Sequence, residues 1–208
     1  QFKKISRDTS LGPAVKINYV LDLYAASDGY IWAGSGAGIY TIDPTNFKIN
    51  SFKDHPLLKK FSGLRVNAFL EDRQGNMWMA THNGVYRYNR TANSLDTFNV
   101  KKGLVSNQCF TLFQDDKGNI YAGSLKGFSI ISNGTIRTYN KSNGLKYDYC
   151  EGITQDDRGK IWIANTKCLI RFDPERGNMK YFDENSGLTT EGFRNQSYLK
   201  SRTGELFF

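Results

Sequence analysis

Residues Gly75–Tyr88 read GNMWMATHNGVYRY. Gly75-Asn76 is a tight-turn signal. The alternation of Met77, Trp78, Met79 and Ala80 is the period-2 mark of a half-buried strand. His82-Asn83-Gly84 then turns the chain into a second alternating run, Val85 to Tyr88, and an Asn-Gly between two such runs predicts a hairpin. The stretch recurs as Gly29-Tyr-Ile-Trp-Ala-Gly-Ser with Gly38-Ile-Tyr, as Gly118-Asn-Ile-Tyr-Ala-Gly-Ser with Gly127-Phe, and as Gly159-Lys-Ile-Trp-Ile-Ala-Asn with Leu169-Ile-Arg-Phe. A fifth copy begins at Gly204-Glu-Leu-Phe-Phe208.

Aligned on the turn glycine, Trp32, Trp78, Tyr121, Trp162 and Phe207 fall in one column, 46, 43, 41 and 45 residues apart. Periods in the forties with strand patterning predict propeller blades of four strands each. Turn glycines come too often for helical repeats of that length. The innermost strand of each unit is predicted at Asn18–Ala25, Leu64–Glu71, Asn107–Gln114, Tyr147–Gln155 and Arg194–Lys200. The second strand carries the aromatic column. The third follows the second turn, and the outermost lies at Lys48–Phe52, Ser94–Phe98, Thr135–Tyr139 and Met179–Phe182. One blade cannot bury both faces of its sheet, so stacking should bury the aromatic column together with Val20, Val66, Cys109 and Cys150. The Gly-Leu pairs at 63–64, 103–104, 144–145 and 187–188 are expected to wedge a leucine between neighbours.

The expected architecture is an all-β propeller arc of four-stranded antiparallel blades. About four are whole, at 11–53, 54–100, 101–141 and 142–185. Partial blades are expected at 1–10 and 186–208. Gln1–Arg7 reads as a lone outer strand of a preceding unit, and an arc excised from a larger ring is expected over a small closed one, because open sheet edges are a liability.

The 208 residues carry 20 glycines, four prolines and a net charge of +8. That suits a turn-rich β protein, and the basic balance favours acidic partners such as nucleic acid, anionic glycans or a membrane surface. No block of five basic residues occurs, and no run approaches the ~20 apolar residues of a membrane span. Gln1-Phe2-Lys3-Lys4 leads into no apolar signal segment, so the chain reads as soluble or as a soluble piece of something larger. Cys109, Cys150 and Cys168 make an odd number, which argues against a disulfide framework, and their spacing matches no zinc pattern. Cys109 and Cys150 share a column and read as small buried hydrophobes. Cys168 replaces a turn glycine and is expected to be more exposed.

Gly103-Leu-Val-Ser-Asn107, Asp115, Gly118-Asn-Ile-Tyr-Ala-Gly-Ser and Gly127 resemble the repeat of two-component regulator propellers, the periplasmic sensor regions of bacterial hybrid histidine kinases. Asp156, Gly159-Lys-Ile-Trp-Ile and Arg171-Phe-Asp-Pro174 match the same pattern. Cys168, Ser132-Asn-Gly and the long linker Lys53–Ser62 depart from it. The resemblance implies part of a seven-bladed ring within a homodimeric inner-membrane receptor. Further blades, an immunoglobulin-like domain, a membrane helix and a kinase core would lie elsewhere in that receptor. It also implies a periplasmic location and a saccharide ligand.

The residues themselves carry no nucleophile, P-loop or zinc motif. No catalytic residue, metal or cofactor is expected, and no nucleic-acid contact by this segment. Asp115-Asp116 and Asp156-Asp157 read as turn chemistry, since calcium would need more oxygen ligands. In a propeller the loops before the inner strand and after the aromatic strand share one face. That first face gathers most of the lysines together with Tyr147, Tyr149 and Phe193. Aromatic rings for sugar faces and cations for carboxylate or sulfate suit an oligosaccharide, an acidic one fitting the charge best. The candidate binding residues are Arg65, His82, Asn83, Lys126, Lys146, Tyr147, Tyr149, Lys167 and Arg194. Two other readings stay open at this point, a polysaccharide-degrading propeller enzyme and a protein-binding scaffold.

Overall fold

Each predicted hairpin forms, and its register places alternate side chains on opposite faces of a sheet. The structure, a computed structural model, describes residues 19–188, 192–193 and 198–208. The first sheet holds β1 (Val20–Ala25), β2 (Ile31–Ser35), β3 (Gly38–Ile42) and β4 (Ile49–Ser51). The second holds β5 (Val66–Glu71), β6 (Met77–Thr81), β7 (Gly84–Asn89) and β8 (Ser94–Phe98). The third holds β9 (Cys109–Gln114), β10 (Ile120–Ser124), β11 (Gly127–Ser132) and β12 (Thr135–Tyr139). The fourth holds β13 (Cys150–Gln155), β14 (Ile161–Asn165), β15 (Leu169–Phe172) and β16 (Met179–Phe182). A short pair, β17 (Leu199–Lys200) and β18 (Leu206–Phe207), starts a further sheet. Every pairing is antiparallel between chain neighbours. The inner strands β1, β5, β9 and β13 pack in succession, so the sheets stand as blades of an open propeller arc. Among the described residues there is no α-helix, and no helix is long and apolar enough to cross a membrane.

The strand alternation decides what each blade buries. Met77 and Met79 face the first blade, in a cluster with Trp32, Ile39 and Phe61, while Trp78 and Ala80 face the third with Leu104, Cys109 and Ile120. Tyr121 and Phe128 of the third blade meet Cys150, Ile153 and Ile161 of the fourth. Leu104 and Leu145 do wedge between blades. Each large side chain so buried contributes about 1.5–3 kcal/mol, so the cores lie between sheets.

The Asp of each first turn ties that turn to the aromatic column. The Asp72 carboxylate accepts the backbone N–H of Gln74 and of Asn76, and the Trp78 indole N–H at 2.7 Å. Asp28–Trp32 at 3.0 Å, Asp115–Tyr121 at 3.2 Å and Asp156–Trp162 at 2.8 Å repeat the bond. At the second turn a hydroxyl closes on the glycine carbonyl, from Ser35 to Gly38, Thr81 to Gly84 and Ser124 to Gly127. Gly84 and Gly127 have φ of 102° and 123°, and a Cβ there would strike the carbonyls of Phe98 and Tyr139. No side chain can replace those hydrogens without moving the outer strand.

Several expectations need correction. Cys168 is fully buried rather than exposed, because its side chain joins the core between the third and fourth blades. Burial pushes its thiol up to about 11. Val20 is 45% exposed and Phe207 55%, because no described neighbour covers those faces of the end sheets. The linkers before the inner strands hold short 3-10 turns at Leu58–Phe61, Val100–Lys102, Lys141–Asn143 and Glu184–Ser186. The inner strands therefore begin about two residues later than the pattern suggested, at Val66, Cys109 and Cys150. In the long linker Leu58 and Phe61 are buried, and the His55 imidazole accepts the N–H of Leu57 and of Leu58. The partial blade 1–10, the strand at Gln1–Arg7 and the first residues of Arg194–Lys200 lie outside the described residues.

Candidate functional site

Each inner strand opens on a bulge, and the bulges shape the first face. The register skips one residue between Val20 and Asp22, Val66 and Ala68, Cys109 and Thr111, and Cys150 and Gly152. The skipped residues are Leu21, Asn67, Phe110 and Glu151. A bulge turns the extra side chain out of the ladder. Asn67 accepts from Arg65 Nε at 2.9 Å and donates to the Cys109 carbonyl at 2.6 Å, which joins the second blade to the third. The Phe110 ring stacks on Tyr149 at 5.0 Å and meets His82 edge-on at 6.1 Å. His82, Phe110 and Tyr149 therefore form a row of rings taken from three successive blades. Arg65 stands beside this row, its carbonyl accepting the His82 N–H at 3.2 Å. Desolvation first, then the Arg65 charge, lower the His82 pKa from its ordinary 6.5.

The fourth blade departs from the other three at its second turn. Asn165 stands where Ser35, Thr81 and Ser124 stand in the first three blades, and Cys168 where they carry glycine. The buried Asn165 amide donates to the carbonyls of Tyr147 at 3.3 Å and Tyr149 at 2.9 Å, and also meets that of Asp148. Its oxygen accepts the Lys167 N–H at 3.1 Å. One side chain thus binds both loops of this corner. In the other blades the residue before the inner strand bonds backbone to backbone: Gly36 N–H to Tyr19, His82 to Arg65, and Leu125 to Gln108. Tyr149 instead lies at φ 70°, a left-handed conformation costly for a bulky residue.

These two loops, with the segment 183–185 after β16, frame a recess of about 410 Å³ lined by Lys146, Tyr147, Thr166, Lys167, Asp183, Glu184 and Asn185. Lys146 Nζ lies 5.0 Å and Lys167 Nζ 5.8 Å from the centre of the Tyr147 ring. Lys146 also pairs with Asp183 at 3.3 Å.

Of the residues singled out by sequence, Lys146, Tyr147 and Lys167 meet at this recess, and Arg65, His82 and Tyr149 meet at the ring row. Asn83 is exposed beside His82 in the same turn, its amide 3.5 Å from the Tyr86 hydroxyl. Lys126 is exposed on the corresponding turn of the third blade. Arg194 lies outside the described residues. Phe110, Asn67 and Asn165 were missed. The broken alternation of Cys109-Phe110-Thr111 marked the bulge, and Asn in a Ser/Thr column marked the rebuilt turn.

Each face carries ion pairs, Lys141–Asp148 and Lys146–Asp183 among them on the first face. On the opposite face Arg73–Asp116, Arg90 with Asp28 and Glu71, Lys117–Glu175, Lys160–Asp173 and Lys200–Asp157 form ion pairs. On the first face, among the described residues, no ion pair engages Lys59, Lys60, Lys101, Lys102 or Lys126. The carboxylates of the first turns are committed to structure. Asp115 accepts from the N–H of Lys117 and of Asn119, the Asn119 amide and the Tyr121 hydroxyl.

Residues 60–83 match the model of the family described as two component regulator propeller. No curated protein matches the chain. Among solved structures, the extracellular domain of a hybrid two component system from B. thetaiotaomicron superposes with a TM-score of 0.78 at 21% identity, over 90% of this chain and 26% of that one. The extracellular domain of a one component system from the same organism gives 0.71 at 19%, over 90% and 28%. Virginiamycin B lyase from Staphylococcus aureus gives 0.69 at 15%, over 92% and 63%. At these identities the likeness is one of fold. The chain spans about a quarter of the length of the first two structures.

Proposed function

Starting from a chain that carries a two component regulator propeller repeat, we propose that it is a ligand-sensing segment of a receptor's extracellular or periplasmic region, non-catalytic, and that its ligand is a saccharide. The observation that carries this reading is the convergence of aromatic and hydrogen-bonding side chains from separate loops of one face. Concave sites with few, converging polar groups are the usual form of small-ligand sites. The unpaired lysines over the second and third blades favour ligands that bear carboxylate or sulfate groups. Signalling would follow from differential binding: a ligand that favours one packing of this face over another shifts the population of receptor states. The remaining blades, an immunoglobulin-like domain and a second protomer are the partners this reading calls for.

The test is calorimetric titration of the 208-residue chain with heparin octasaccharides, oligogalacturonides, and neutral arabino- and galacto-oligosaccharides. Binding that favours the acidic members and weakens with salt is the expected result. If no member binds, the saccharide reading fails. If acidic members bind no better than neutral ones, the charge preference fails.

A further inference from the structure

The recess on the fourth blade differs in charge from the rest of its face. Its two ammonium groups, Lys146 and Lys167, are matched by two carboxylates, Asp183 and Glu184. Lys146 is already held by Asp183 at 3.3 Å. An incoming carboxylate or sulfate would face those two acids, and an incoming cation would face the two lysines. A hydroxyl suits both, since it donates to a carboxylate and accepts from an ammonium group at once. The Thr166 hydroxyl and the Asn185 amide add further donors and acceptors around the Tyr147 ring.

We propose that this recess is a subsite for an uncharged, hydroxyl-rich ring, seated against Tyr147 and read by Lys146, Lys167, Asp183 and Glu184. The proposal deepens the saccharide reading and rests on it. It divides the face in two: acidic groups go to the lysines of the second and third blades, and a neutral ring goes to the fourth. The second observation behind it is the rebuilt turn. Asn165 draws the carbonyls of Tyr147 and Tyr149 onto one buried amide and holds Tyr149 at φ 70°. Preorganisation of that kind lowers the entropic cost of ordering a site when ligand arrives. The first three blades close the same turn with a hydroxyl instead.

The same oligosaccharide panel, run on the native chain and on Tyr147→Ala and Lys167→Ala, tests it. Lys167 is exposed, but Tyr147 is half-buried and packs against the core between the third and fourth blades, so folding is checked by an unchanged circular dichroism spectrum and urea midpoint. Affinity for the neutral arabino- or galacto-oligosaccharide that binds best should fall about tenfold in Tyr147→Ala, the loss typical of a truncated aromatic anchor. The ratio of native to variant affinity should change less than about twofold between low and high salt, because the recess is charge-balanced. Neutral members that bind with no loss in either variant, or that fail to bind while acidic members do, would overturn the subsite while leaving the saccharide reading standing. So would a variant effect that vanishes at high salt. Absence of binding by every member would overturn both.

Discussion

The Gln155 side-chain carbonyl accepts the backbone N–H of Asp116 at 2.9 Å, joining the end of one inner strand to the first turn of the preceding blade. Gln114 holds the Arg73 N–H at 3.1 Å in the same way, and Glu71 holds the Ser27 N–H at 2.7 Å. In the partial blade Lys200 fills the column and reaches the Asp157 carboxylate at 2.7 Å. Gln155→Ala should lower stability by about 1 kcal/mol, seen as a lower urea midpoint at constant slope. Lys200→Ala, which removes a pair with an open carboxylate, should change it by less than about 0.5 kcal/mol. Equal effects at the two positions would argue against a buried hook.

The turn aspartates are a stronger test of how a blade is held. Asp72 is buried and carries the turn and the Trp78 indole together. Asp72→Ala leaves several donors without a partner, so a loss of about 2–4 kcal/mol is expected. Trp78 fluorescence should report the opened turn. A variant within 1 kcal/mol of native by urea unfolding would contradict the tether.

Much of this was legible in the sequence, for a physical reason. Period-2 alternation and turn glycines act locally, so Trp32, Trp78, Tyr121 and Trp162 found their column and the sheets followed. What alternation cannot show is the residue that leaves it. Phe110 and Asn67 sit on bulges, where one extra residue takes a side chain out of register. Cys168 looked like a turn residue because glycine occupies its place elsewhere. Its side chain instead enters the core, a matter of packing between blades rather than of the turn. The recess needed Asn165 to bridge two loops more than fifteen residues apart, a contact that no single repeat predicts.

The pH behaviour of His82 follows from its place beside Phe110 and Arg65. Its folded pKa lies below the ordinary 6.5, so the fold prefers the neutral ring. Its contribution to stability is complete above pH 6.5 and is lost as pH falls through the lowered value. Proton NMR titration should find its midpoint below 6.5, and Arg65→Ala should raise it part of the way. A midpoint at or above 6.5 would contradict the desolvation of the ring, and no rise in Arg65→Ala would contradict the influence of Arg65.

The three thiols should be silent in the native state. Cys109, Cys150 and Cys168 are buried, and desolvation raises each pKa, that of Cys109 to about 12. Cys150 and Cys168 share a core but flank β14, which separates them by roughly two strand spacings, about 10 Å. That is too far for a disulfide without backbone movement. A disulfide-exchange dye should label no thiol until urea unfolds the chain. Rapid labelling of Cys168 in native protein would return it to the surface.

The most direct measurement of the central claim, that ligand is read on the loop face of the second to fourth blades, is hydrogen–deuterium exchange of the 208-residue chain with and without the oligosaccharide that binds best. The account predicts added protection in residues 146–149 and 166–167, and around His82 and Phe110, with the opposite loops at 115–119 and 156–160 unchanged. Protection confined to those opposite loops would contradict it.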